Sequence, residues 1–216
     1  MLLSILKQHG PAYFLSKIIP GIFALISIPV FVRLYGLTNY GQIMLLFALC
    51  NFITVFSCGW LCQSLIRFQI ISIGIKNIIK PIYLSISASI IFCVLTLFLS
   101  KFIFGFGDFL KLNHYIAIIF MTINMALFYV LHSSLQSLLQ SKNILIISLL
   151  LSLLSFLLPI LFYFRYPTIA GFIFSYAIAY GIASIVGIYF FLITKTTNNN
   201  TDARTLQLFK YGFPIS

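Results

Sequence analysis

Negative charge is almost missing from this sequence. Its 216 residues contain two acidic side chains, Asp108 and Asp202, and no glutamate. Carboxylate-driven hydrolysis needs two acids in one site, so that class of soluble enzyme is excluded. Charge of either sign is scarce, at 7% of residues against about 25% in soluble domains. That is too little to cover a water-facing surface. Cysteine is limited to Cys50, Cys58, Cys62 and Cys93, all inside apolar stretches. They form no C-x-x-C pair and have no histidine at ligand spacing, so they are read as polarisable packing residues, and no metal or cofactor is expected. A cleavable signal is lacking too, because the first apolar run is too long and has no small-x-small exit.

What the chain does have is apolar length. Hydrophobic residues make up 62% of it, and a spanning helix needs about 20 in a row. Six stretches qualify: about Pro11 to Val32, Gln42 to Ile66, Pro81 to Phe104, Tyr115 to Leu139, Ile144 to Phe164 and Ile169 to Thr194. They are too long and too uniformly apolar for barrel strands. The fold class is therefore an all-α integral membrane protein with six transmembrane helices, the first opening with Pro11 in its first turn. The net charge of +11 comes from single Lys and Arg residues scattered between apolar runs. Nucleic acid would want a basic soluble face, so it is not an expected partner.

The connections set the organisation. Gln140 to Asn143 and Arg165 to Thr168 read as tight hairpin turns. Arg67 to Lys80 reads as a short amphipathic surface helix, with Ile71, Ile75, Ile78 and Ile79 on one face. Residues 1–194 form the six-helix lobe, 195–207 a polar linker carrying Asn198-Asn199-Asn200-Thr201, and 208–216 the start of a seventh helix. The expectation is thus the front half of a two-lobe protein. Lys7, Lys17, Arg67, Lys76, Lys80, Lys142, Lys195, Arg204 and Lys210 fall on one side, against Arg33, Lys101, Lys111 and Arg165 on the other. The positive-inside rule then puts the N-terminus in the cytoplasm, and the Asn199-Asn200-Thr201 sequon with it.

Four passages resemble a known family. They are Tyr13-Phe14-Leu15-Ser16-Lys17-Ile18-Ile19-Pro20-Gly21, running on to Ile28-Pro29-Val30; the junction Arg33-Leu34-Tyr35-Gly36-Leu37-Thr38-Asn39-Tyr40-Gly41; the close of the second span from Cys58-Gly59-Trp60 to Arg67-Phe68; and Lys210-Tyr211-Gly212-Phe213-Pro214. Together they are similar to oligosaccharide and polysaccharide flippases of the multidrug/oligosaccharidyl-lipid/polysaccharide exporter superfamily, in particular its O-antigen (Wzx-type) branch. The resemblance implies two six-helix lobes around a central cavity, with cations of the first two helices inside it. It implies a place in the bacterial cytoplasmic (inner) membrane and a role in lipopolysaccharide assembly. The implied partners are a lipid-linked oligosaccharide, membrane lipids and other polysaccharide-assembly proteins.

Candidate transport residues follow from their cost in lipid. Lys17 lies six residues beyond Pro11, about 9 Å into the helix, where a lysine costs about 2.5–3.5 kcal/mol. It either faces a hydrated cavity and contacts a pyrophosphate, or snorkels to the headgroups. Arg67, with Gln63 one turn before it, either grips phosphate through paired hydrogen bonds or serves as a positive-inside anchor. Arg33 is an interfacial anchor or a gate residue. Tyr129, His132, Ser133, Gln136 and Gln140 share one face of the fourth span. That stripe binds sugar hydroxyls or glues helices together, and His132 is either a proton carrier or a histidine satisfied by a neighbour. Pro20, Pro29 and Pro159 bend their helices, as hinges or as fixed shape.

The function expected is a non-enzymatic flippase. It moves a polyprenyl-pyrophosphate-linked oligosaccharide through a basic hydrated cavity by alternating access. A drug or cation antiporter of the same superfamily is the alternative within transport, although neither Asp108 nor Asp202 lies in a span to couple it. A membrane glycosyltransferase would want a larger outer loop than Gly105 to His114. An inactive truncated transporter is the remaining reading.

Overall fold

A backbone in hydrocarbon has no water to bond, so each apolar run closes its own hydrogen bonds as a helix. The computed structural model describes residues 2–72, 79–104 and 112–193. Six helices run through them: α1 (Leu2–Tyr35), α2 (Leu37–Ser72), α3 (Ile79–Phe104), α4 (Leu112–Ser137), α5 (Ser141–Arg165) and α6 (Ile169–Ile193). No strand occurs among the described residues. Five helices are long and apolar enough to cross a membrane, through Tyr13–Tyr35, Leu37–Arg67, α4, α5 and α6. In α3 the apolar stretch Ile82–Thr96 is shorter, although its 26 residues reach about 39 Å. The chain is an all-α, multi-pass membrane protein.

Helix ends differ from the sequence reading. α1 begins at Leu2, so Pro11 sits inside the helix with Pro20 and Pro29 rather than in its first turn. α2 runs on to Ser72, so Ile71 continues a spanning helix instead of opening a surface one. Ile75 and Ile78 lie outside the described residues, as do the linker at 195–207 and the start of a seventh helix at 208–216.

The core is built around α4, which packs most extensively on α6 and α2. Ala117, Met121, Met125 and Ala126 of α4 are fully buried, as are Ala177 and Ala183 of α6. Small side chains let two backbones approach closely, which is how helices associate without a hydrophobic drive between them. A second cluster joins Phe31 and Tyr35 of α1 to Ile43 and Phe172, and α1 otherwise leans on α5. Buried serines bond carbonyls of their own helix: Ser16 to Tyr13, Ser64 to Leu61, Ser134 to Val130, Ser175 to Phe172 and Ser184 to Tyr180. These hydroxyls enter lipid already satisfied.

The turns are short. Gly36 alone links α1 to α2 at φ +80, and its N–H donates to Val32 at 3.0 Å. A left-handed residue just past a helix end is where glycine is favoured. Thr168 caps α6 by accepting the Gly171 N–H at 3.0 Å.

Candidate functional site

Lys17 is exposed, and its Nζ lies 5.6 Å from the centroid of the Tyr13 ring one turn earlier. The ring face attracts the ammonium and so restricts it. Across from α1, Gln136 of α4 donates from Nε2 to the Tyr13 hydroxyl at 2.9 Å. His132, one turn deeper on α4, is near enough to Lys17 for a charge on one to be felt by the other. Lys17, Tyr13, His132 and Gln136 therefore form one polar group between two helices that make little other contact.

Deeper still, the Tyr129 hydroxyl donates to Asn51 Oδ1 of α2 at 3.4 Å and bonds the Tyr180 hydroxyl of α6. The face of α4 thus splits in role. His132 and Gln136 turn toward α1, whereas Tyr129 ties α4 to α2 and α6. Ser133 is buried against Cys62 of α2 as helix glue. His132 also rests on the Phe128 ring, with centroids 5.7 Å apart.

Other expected site residues lie elsewhere. Gln140 falls beyond the end of α4, at the N-cap of α5, where its Oε1 accepts from Asn143 at 2.6 Å. Gln63 and Arg67 are exposed and continue the stripe of Phe52 and Phe56 at spacings of 4, 7 and 4 residues. That helical face is turned away from Asn51 and Cys62, so the fold does not bring Gln63 and Arg67 to Lys17. Arg33 is exposed at the far end of α1. Pro29 is exposed, while Pro159 is buried and its carbonyl accepts the Tyr35 hydroxyl at 3.1 Å.

Pro20 borders a cavity of about 330 Å³ between α1, α2, α5 and α6. Its walls include Phe23, Phe47 and Phe156, the phenols of Tyr40, Tyr176 and Tyr180, and Ser27, Ser152 and Ser155. No charged side chain lines it. Among the described residues, no three His, Cys, Asp or Glu side chains come together as a metal site would need.

Of the residues singled out in the sequence, the fold brings Lys17, His132 and Gln136 together, and their neighbours Tyr13, Asn51 and Tyr180 were not singled out. Each is a lone polar group in an apolar run, and only its distant partner reveals it.

No curated protein and no solved structure matches the chain. The family model described as polysaccharide biosynthesis protein matches residues 6–216, and the chain belongs to that family.

Proposed function

We propose that this chain is a lobe of a flippase that moves a polyprenyl-pyrophosphate-linked oligosaccharide across the bacterial cytoplasmic membrane, as in O-antigen and lipopolysaccharide assembly. The observation that carries the reading is Lys17, an ammonium inside the span Tyr13–Tyr35, set between Tyr13 and the His132–Gln136 face of α4. A lone cation in hydrocarbon is costly and demands an anionic partner or water. A pyrophosphate supplies the anion, with Gln136 and Tyr13 beside it as hydrogen-bonding groups. The family's tie to polysaccharide biosynthesis names the cargo that carries such a group. The lipid tail stays in the bilayer, and the N-terminus lies in the cytoplasm, where Lys and Arg are in excess. No carboxylate lies in the described spans, so this lobe offers a cation antiporter nothing to couple through.

The test is reconstitution of the gene product of the whole locus into proteoliposomes with a polyprenyl-pyrophosphate-linked oligosaccharide. Accessibility of the glycan to an external lectin is followed over time. Transbilayer movement that slows in Lys17→Gln supports the reading. No movement, or export of cationic dyes instead, overturns it.

A further inference from the structure

Four helices, α1, α2, α5 and α6, line the cavity. Ala24 is the middle of the span Tyr13–Tyr35, Leu151 to Phe156 surround the middle of α5, Tyr176 and Tyr180 lie just before the middle of α6, and Tyr40, Met44 and Phe47 come from the first turns of α2. The cavity therefore lies inside the helix bundle, between the middle of the spans and the end that carries the α1–α2 turn, where an unpartnered polar atom is costly. Its polar atoms are mostly acceptors. Ser27, Ser152 and Ser155 donate their protons to the carbonyls of Ala24, Ser148 and Ser152 at 2.7, 2.7 and 3.0 Å. That leaves these hydroxyls only their lone pairs to offer a ligand. Pro159 has no N–H to offer the Ser155 carbonyl one turn before it. The Tyr180 hydroxyl is held by Tyr129. By contrast, the hydroxyls of Tyr40 and Tyr176 bond no backbone carbonyl or other side chain in the described residues, and the two lie near enough for a charge on one to be felt by the other.

We propose that this cavity receives one uncharged sugar ring. The assignment rests on the flippase reading for the cargo, but its own support is the cavity's chemistry. A sugar ring brings several hydroxyl donors for serine and backbone acceptors, and a ring oxygen and hydroxyl lone pairs for the two phenols. Its apolar C–H face suits the aromatic walls, where Phe47 stands edge-on to Tyr176 at 5.4 Å and Tyr176 stacks on Phe172 at 4.9 Å. The volume is at the small end of ligand pockets, which run from about 300 to 1,000 Å³. It fits one ring and not an oligosaccharide.

Two other occupants fit worse. A hydrocarbon chain would leave the Tyr40 and Tyr176 hydroxyls unpaired in a dry site. An organic cation would find aromatic faces, but no carboxylate lines the cavity, and Lys17 stands one turn below Pro20 and Gly21 to repel it. The same short distance orders the cargo. With pyrophosphate at Lys17, the sugar bonded to it lies one turn further along α1, at the Pro20–Ala24 edge of the cavity.

The test uses the purified gene product in lipid nanodiscs and two soluble probes. Methyl β-glucopyranoside is followed by saturation-transfer NMR, and inorganic pyrophosphate by its phosphorus linewidth. We expect saturation on the glycoside ring protons in wild type and, undiminished, in Lys17→Gln. Tyr40→Phe combined with Tyr176→Phe keeps both rings and weakens that binding about tenfold. Ala24→Phe, which fills the cavity from α1, abolishes it. Pyrophosphate broadening persists in both cavity variants and is lost in Lys17→Gln. Absence of glycoside transfer in wild type, unchanged transfer in the double phenylalanine variant, or displacement of the glycoside by tetraethylammonium overturns the sugar site. Loss of the pyrophosphate signal from wild type, with glycoside binding intact, sinks the flippase reading and leaves the cavity assignment standing.

Discussion

Gln136 and Tyr13, 123 residues apart, are joined by a 2.9 Å hydrogen bond from Nε2 to the phenol oxygen. It ties α4 to α1 at a level where the two helices otherwise pack little. A hydrogen bond between membrane helices is worth about 0.6 kcal/mol, so it biases the spacing without holding the lobe together. A double-mutant cycle of Tyr13→Phe and Gln136→Leu should return a coupling of that size in unfolding measurements. In the lectin-accessibility assay both single variants should shift the transport rate in one direction, and the double variant should add nothing further. Additive rate changes would show that the two side chains act separately.

Lys17 separates two physical roles that its position alone left open. If its ammonium meets phosphate, Lys17→Gln removes a charge-assisted hydrogen bond of about 1.5–3 kcal/mol, and cargo movement falls about ten- to a hundredfold. Lys17→Arg keeps the charge and retains most of the rate. A snorkelling lysine that merely anchors α1 predicts a different pattern: Lys17→Gln transports normally and inserts more readily, because the cost of burying the charge is gone. Initial rates in proteoliposomes for the three proteins decide between these.

Much of the fold was legible because lipid imposes a simple rule: a long apolar run must be a helix. That rule located all six helices, and the chain turns at Arg165 to Thr168 as expected, but the other turn lies at Leu138 to Gln140 and Ser141 to Asn143 already belong to α5. The rule misplaced helix ends, where other physics governs. Pro11 reads as a helix start, yet an interior proline loses only one backbone bond and α1 continues through it from Leu2. Gln140 belongs to the polar stripe by periodicity, but α4 stops at Ser137 and Leu139 turns the chain at φ 55. Lys17, His132 and Gln136 were legible as residues too expensive to place idly in a span. Tyr13 and Asn51 were not, since one tyrosine or asparagine among many carries no signal until its partner on another helix is known. The cavity was invisible for the same reason, being a product of four helices packed side by side.

Three glycines should respond differently to alanine. Gly36 has open space around the added carbon but a φ of +80, so Gly36→Ala loses about 1 kcal/mol from conformation alone. At Gly171 the new carbon meets the Tyr166 carbonyl oxygen at 2.6 Å. Backbone cannot swing aside, so the loss there is larger, about 1–3 kcal/mol. At Gly181 the obstacle is Asn124 Oδ1 at 2.9 Å, the end of a side chain that can rotate. Thermal unfolding in one detergent should rank Gly171→Ala lowest and leave Gly181→Ala closest to wild type. Equal losses at Gly171 and Gly181 would mean that Asn124 is as fixed as backbone.

Tyr35 tests how the far end of α1 is held. Its hydroxyl donates to the Pro159 carbonyl at 3.1 Å, and its ring stands edge-on to Tyr163 at 5.0 Å and to Phe172 at 5.2 Å. The hydroxyl bond contributes about 0.6 kcal/mol, whereas removing a buried aromatic ring costs about 3–5 kcal/mol. Tyr35→Phe should therefore unfold within a few degrees of wild type, and Tyr35→Ala well below it. Because Pro159 is buried and cannot kink α5 freely while that carbonyl is engaged, Tyr35→Phe should loosen α5 more than α1. Amide hydrogen exchange checks this: faster exchange confined to the turn after Pro159 fits an anchoring hydroxyl. Unchanged exchange in Tyr35→Phe would assign the whole contact to the ring.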